Sequence, residues 1–298
     1  MKTTITYRVT MKLIAALFVV FLFSCQKENS LTGSGASDEE ALQYSDESAQ
    51  ADASFDDVAD LGITAADEEA LTPESGRGEN LFFPRFDELR LRLGPCAVIT
   101  VVPNDSTYPK TITIDFGAGC ICADGKFRKG AIILHLTGPI RRTGSVLTVT
   151  FRDYYMNRAH IEGTKVITNM NENGNIRFTV QVVGGRVTFP NGRGYGYESF
   201  KYVHQVAGGA TRTLRDDVYQ IEGRSRTEFN SGVTVTLDTE RPLVKKFSCH
   251  WISNGLLKIR MNNRELFLNY GFPDGGECDN KALLTWNNGN SRRIILLP

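Results

Sequence analysis

The sequence predicts an all-β protein whose body is an antiparallel meander of about a dozen or more strands. In residues 111–116 (ThrIleThrIleAspPhe), 176–182 (IleArgPheThrValGlnVal) and 233–238 (ValThrValThrLeuAsp), apolar and polar side chains alternate strictly. A period of two with many β-branched residues means strand. One face of each strand is apolar and the other wet, the signature of antiparallel sheets; buried parallel strands would be apolar on both faces. Hairpin dipeptides punctuate the pattern: Asp-Gly at 124, Asn-Gly at 173, 191, 254 and 288, and Ser-Gly at 231. So many strands exceed what one open twisted sheet holds comfortably, so the sheet is expected to form a curled sheet, a sandwich or a partly closed barrel.

The N-terminus reads as an export signal. Lys2, Arg8 and Lys12 precede an apolar run from Leu13 to Phe23, the layout of a signal peptide. That run of eleven residues is too short for a bilayer-crossing helix, which needs about 20. Leu22-Phe23-Ser24-Cys25 resembles the bacterial lipobox, with Phe23 bulkier than the usual pattern. The resemblance implies that residues 1–24 are removed and that Cys25 becomes a lipid-bearing N-terminus; several acyl chains suffice for a stable membrane anchor. An ordinary signal peptide cleaved near Ser24 is the alternative.

From Asp38 to Glu74 there are thirteen acidic residues and no lysine or arginine. Composition of this kind predicts a flexible, self-repelling tether, here spanning residues 25–80. Within it Ser54, Asp57 and Gly62 are placed to cap a short helix carrying Phe55, Val58 and Leu61. From Arg77 onward the balance reverses, with thirty Lys and Arg against twenty Asp and Glu. A basic body, taken as residues 81–298, would attract polyanions. No run of five or more basic residues marks a nucleic-acid site, however, and the charges read equally as a scattered surface neutralised by the chain's own acidic segment.

Five cysteines remain besides Cys25. Cys96 begins one strand and Cys120 ends the next across the turn near Pro103 to Pro109, so a hairpin brings Cys96 close to Cys120 or Cys122. Cys249 and Cys278 pair only if the loop from Gly271 to Cys278 folds back. No metal site or cofactor is expected; the only candidate zinc ligands are Cys120, Cys122 and His250.

No catalytic signature stands out among His135, His160, His204 and His250 or elsewhere, which favours a non-enzyme. Glu162 and Glu222 occupy matching places in a weak internal echo, Tyr155 followed by His160-Ile161-Glu162-Gly163 and Tyr219 followed by Gln220-Ile221-Glu222-Gly223. They read as equivalent strand-end residues rather than a glycosidase pair. Candidate ligand contacts lie in the aromatic run at 195–204, where Tyr195 and Tyr197 share one strand face and Phe200 and Tyr202 the other.

Residues 56–60 (AspAspValAlaAsp), 109–117 with Cys120 following, 128–130 (ArgLysGly), and Tyr270-Gly271 with 276–282 (GlyGluCysAspAsnLysAla) together resemble a recurring set of uncharacterised Bacteroidota lipoproteins. The resemblance implies a β-rich body and an envelope habitat, with no established activity to transfer. Lys27-Glu28 is similar to the charged signal that sends such lipoproteins to the cell surface, and Asp105-Ser106-Thr107 to their O-glycosylation motif. The expectation is therefore an outer-membrane lipoprotein, at the cell surface or facing the periplasm. It would serve as a non-catalytic binding or structural protein for a glycan, lipid or protein. A carrier of hydrophobic ligands in a curled sheet and a secreted hydrolase are the alternatives.

If Cys25 is the anchor, Cys25→Ala abolishes palmitate labelling and moves the protein out of the membrane fraction, as measured by metabolic labelling and fractionation.

Overall fold

The computed structural model describes residues 37–70, 86–172, 176–211, 215–273, 275–286 and 289–296. The lipobox-like sequence at Cys25 and the turns expected at Asn-Gly 173 and 288 lie outside them. The described residues begin with a long helix, α1 (Asp38–Ala70), followed by a short one, α2 (Asp87–Leu93), and a 3-10 turn at Gly94–Cys96. Fourteen strands follow: β1 (Val98–Val102), β2 (Lys110–Asp115), β3 (Cys120–Ile121), β4 (Phe127–Leu136), β5 (Val146–Met156), β6 (Ala159–Asn169) and β7 (Arg177–Thr188), then β8 (Gly194–Ala207), β9 (Val218–Phe229), β10 (Thr234–Lys246), β11 (Ile252–Met261), β12 (Arg264–Asn269), β13 (Lys281–Trp286) and β14 (Ser291–Leu296).

All fourteen belong to one antiparallel sheet in sequence order, with β3 pairing only to the start of β4. The sheet is not closed: β1 and β14 are its two ends. This is the meander that the alternating pattern and turn dipeptides predict, in its curled-sheet form. The turns at Asp124-Gly125, Asn191-Gly192 and Ser231-Gly232 fall between strands as expected. Asn254-Gly255 does not; it lies inside β11, where the register against β10 shifts between Arg241 and Val244. A strand bulge and a hairpin turn use the same dipeptide, so composition alone cannot separate them.

Irregularities of this kind interrupt the pairing of β4 with β5, β5 with β6, β6 with β7, β7 with β8 and β9 with β10. Bulges bend strands, and repeated across neighbours they curl the sheet. The internal echo in the sequence marks two points of close approach. Gly163 and Gly223 have φ of 121° and 152°, and a Cβ would lie 2.7 Å from the Gly185 Cα in the first case and against the Phe200 carbonyl in the second. Glycine is what these positions require.

The acidic segment is the principal departure from expectation. Residues 38–70 are not a solvated tether but helix α1, seated in the concavity of the sheet. Asp57, Val58 and Ala59 are consecutive and all buried, as are Thr64 to Asp67, so much of the helix is covered all round, while Ala53 stays exposed. Phe55, Val58 and Leu61 are core residues, but Ser54 and Gly62 are mid-helix and cap nothing. Ser54 donates its hydroxyl to the Gln50 carbonyl (2.8 Å). Gly62 packs toward Leu134, Leu147 and Val149, where a Cβ would make ordinary contacts of 3.4–3.5 Å.

Charge compensation makes this burial possible. Asp57 accepts hydrogen bonds from Arg92, Lys126 (2.9 Å) and the fully buried Arg128 (2.8 Å). Asp52 and Asp56 both pair with Lys201 (2.9 and 2.8 Å), and Asp56 also with Lys165 (3.4 Å). Asp60 pairs with Lys245, Asp67 with Arg141, and Glu69 with Lys110. Residues 52–60 span about 12 Å of helix, yet they reach β4, β6, β8 and β10. In a flat sheet β4 and β10 would stand about 29 Å apart, six spacings of about 4.8 Å. The sheet must therefore wrap the helix.

Two disulfides secure the periphery. Cys96 joins Cys120 and Cys249 joins Cys278, with Cα atoms 5.7 and 5.5 Å apart, while Cys122 is free and buried. The hairpin geometry selects Cys120 over Cys122, and the loop from Gly271 does fold back, its Gly275 amide bonding the Gly271 carbonyl.

Burial alone would raise the Asp57 pKa, but Arg92, Arg128 and Lys126 hold it well below the usual carboxylate range. A depressed folded pKa contributes stability above the unfolded value of about 3.9, lost as pH falls through that value toward the folded one. Asp57→Ala removes one partner of a buried network and is expected to cost about 3–5 kcal/mol in urea unfolding at pH 7. The variant should also show a flatter acid limb below about pH 4.

Candidate functional site

α1 does not fill the whole concavity. Ala49, Ala53, Asp56 and Asp60 recur at helical spacing along one stripe, and the small residues among them leave a gap against the later strands. The result is a cavity of about 130 Å³. Its far wall comes from Val180 of β7, Val203 of β8, Ile221 of β9, Leu243 of β10 and Ile252 of β11. Tyr219, Phe247, Trp251 and Tyr270 add aromatic surface. Its polar atoms belong mainly to the Asp52–Lys201–Asp56 cluster and to the Asp60–Lys245 pair.

A second, wider cleft of about 350 Å³ adjoins it and shares Asp60, Arg92, Lys245, Phe247 and His250. This cleft runs out past Glu88 and Leu91 of α2, Arg215 and Cys249. His250 stands where the two meet. The Cys249–Cys278 disulfide sits beside it and ties the β10–β11 connection to the folded-back loop. Lys245 Nζ donates to the His250 carbonyl (2.9 Å), and the imidazole meets the Trp251 ring edge to face at 5.2 Å. Burial, reinforced by Lys126 and Arg92, lowers the His250 pKa to about 4. The imidazole is thus neutral at physiological pH.

The candidate contacts in the aromatic run divide as their alternation requires. Tyr195 and Tyr197 face inward and are buried, where they pack against other aromatic rings. Tyr197 stacks on Phe55 of α1 (centroids 4.6 Å, planes 7° apart) and donates its hydroxyl to Asp52. Tyr195 meets Phe229 edge to face at 5.5 Å. Tyr202 and Phe200 are on the outer face, 59% and 42% exposed, and pack on each other. Glu162 and Glu222 are exposed on β6 and β9, separated by three strand spacings, about 14 Å, and offset by a further six residues along the strands, Glu162 being level with Glu228. That is too far for a glycosidase pair. His135 is exposed on the outer face of β4.

The Sγ atoms of Cys96, Cys120 and Cys122 lie within 4.8 Å of one another, and His250 is not among them. With Cys96 and Cys120 disulfide-bonded, only one thiol is left to offer a metal. Among the described residues no helix is long and apolar enough to cross a membrane.

Sequence reasoning missed the cavity because its walls come from α1, α2, five strands and three loops. The one local signal was the sequence Cys249-His250-Trp251, which places an imidazole and an indole beside a disulfide half-cystine. Comparison with protein-family models, with curated proteins and with solved structures finds no match.

A folded pKa below the unfolded value of about 6.5 means that the unfolded chain takes up the His250 proton first as pH falls. The imidazole should titrate near pH 4 by NMR. Its contribution to stability should fall between about pH 6.5 and 4, a slope that His250→Gln removes in pH-dependent melting.

Proposed function

We propose that the chain is a non-catalytic binding protein of the bacterial envelope, tethered through a lipid on Cys25. It holds a small, largely apolar ligand between α1 and strands β7 to β11. The observation that carries this reading is the partly enclosed cavity of about 130 Å³, with aliphatic and aromatic walls and a few convergent polar groups. That is the composition of small-molecule sites in general. It forms where a rigid sheet meets a helix held by buried ion pairs, so the shape is set before any ligand arrives.

The size argues against the carrier reading in its full form. An apolar cavity of about 150 Å³ accommodates benzene, so the gap beside α1 suits one ring or a short alkyl segment. Multiple acyl chains would need the space that α1 occupies. The outward-facing Phe200–Tyr202 pair is compatible with a further contact to a glycan or protein at the surface.

Phenol, neutral at pH 7, is a suitable probe. It should produce saturable NMR shifts of the Ile221, Leu243 and Ile252 methyls. Ile221→Trp, which fills the cavity at an overpacking cost of about 1–3 kcal/mol, should abolish them while the protein stays folded. Shifts that persist in this variant, or none in the wild type, would reject the reading.

A further inference from the structure

The wider cleft contributes what the apolar cavity lacks. Its lining carries Arg92, Arg215 and Lys245 against Asp60 and Glu88, one more cation than carboxylates. Partnering does not erase the excess. Lys245 pairs with Asp60 at 3.1 Å and Arg215 with Glu88 at 3.0 Å. Arg92 turns to Asp57, whose carboxylate also serves Lys126 and the fully buried Arg128. Asp124 supplies a second carboxylate to Arg128 at 2.7 Å and stands 3.6 Å from Arg92. Asp57 and Asp124 thus answer three cations at the inner end of the cleft.

The two cavities adjoin along Asp60, Arg92, Lys245, Phe247 and His250, which line both. From this juxtaposition we infer that the ligand is an amphipathic anion, its apolar part in the cavity beside α1 and a single carboxylate or similar anionic head in the cleft among Arg92, Lys245 and Arg215. The inference rests on the binding reading above and gives it a ligand class. A partly desolvated surplus of positive charge is costly when uncompensated, and an anionic head neutralises it through charge-assisted hydrogen bonds. His250 reports on the same field. Lys126, Arg92 and Lys245 disfavour its protonation and Asp57 favours it, with burial the largest influence. An anion arriving beside it therefore makes protonation easier.

Phenylacetate and its neutral isostere 2-phenylacetamide differ in charge and hardly in shape, and each can be titrated against the mature full-length chain by calorimetry and NMR. Phenylacetate should bind about tenfold or more tightly, the scale of one charge-assisted hydrogen bond, and the advantage should shrink as salt screens it. Saturating phenylacetate should raise the His250 titration midpoint, and phenylacetamide should not. Arg215→Gln alters a largely exposed side chain and should lower phenylacetate affinity several-fold without affecting phenylacetamide; Lys245→Gln, checked for an unchanged melt, should do the same. Equal affinities, or tighter binding of the amide, would overturn the anion inference and leave the cavity reading standing. Phenylacetate binding untouched by both variants would overturn the placement of the head. If neither compound binds and phenol also fails, both readings fall.

Discussion

The carboxylate of Asp57, buried among Arg92, Lys126 and Arg128, is the interaction on which the rest of the architecture turns. A carboxylate in a protein interior loses its hydration, and only opposite charge in good geometry returns that loss. Here the cations come from α2, from the turn before β4 and from β4 itself. Satisfying one side chain of α1 therefore places α2 and the start of the sheet together. The Asp52 and Asp56 carboxylates do the same for β6 and β8 through Lys165 and Lys201.

Buried ion pairs of this kind contribute little net stability compared with well-packed apolar residues, but breaking one is severely penalised. In this protein the consequence is registry. Advancing α1 by one residue rotates it by about 100°, which would put Leu61 or Ile63 where Gly62 meets Leu134, Leu147 and Val149 and swing the aspartates away from Arg128 and Lys165. The apolar contacts of Phe55, Val58 and Leu61 alone would tolerate slippage far better. Charge specifies where the helix sits, and apolar burial supplies most of the driving force.

The cavity follows from the same arrangement. Once the ion pairs hold α1 in position, the stripe bearing Ala49 and Ala53 faces β7 to β11 with side chains too small to reach them. The Cys249–Cys278 disulfide holds the segment that carries His250 and Trp251 at the mouth. Desolvation and the neighbouring cations keep the imidazole uncharged. The cleft's surplus of positive charge is the remainder of a field that the α1 carboxylates mostly cancel.

The sequence by itself determined what depends on neighbours along the chain. Alternation at 111–116 and 233–238 required strands, turn dipeptides ordered them into a meander, and a hairpin brought Cys96 close to Cys120 or Cys122. These signals are local, because a strand's two faces and a hairpin's turn are written in consecutive residues. Local reasoning also explains the misreadings: Asn254-Gly255 has the composition of a turn but sits in a bulge, and thirteen acids in residues 38–74 have the composition of a tether. Whether such a segment is solvated or buried depends on countercharges elsewhere. Arg128 lies 71 residues beyond Asp57, and Lys201 lies 149 beyond Asp52. Only the tertiary structure decided that the acidic segment is a helix inside the sheet, that Tyr197 belongs to the core while Tyr202 stays outside, and that Ile221, Leu243 and His250 share a cavity, because a charge can be buried only where the fold delivers its partner.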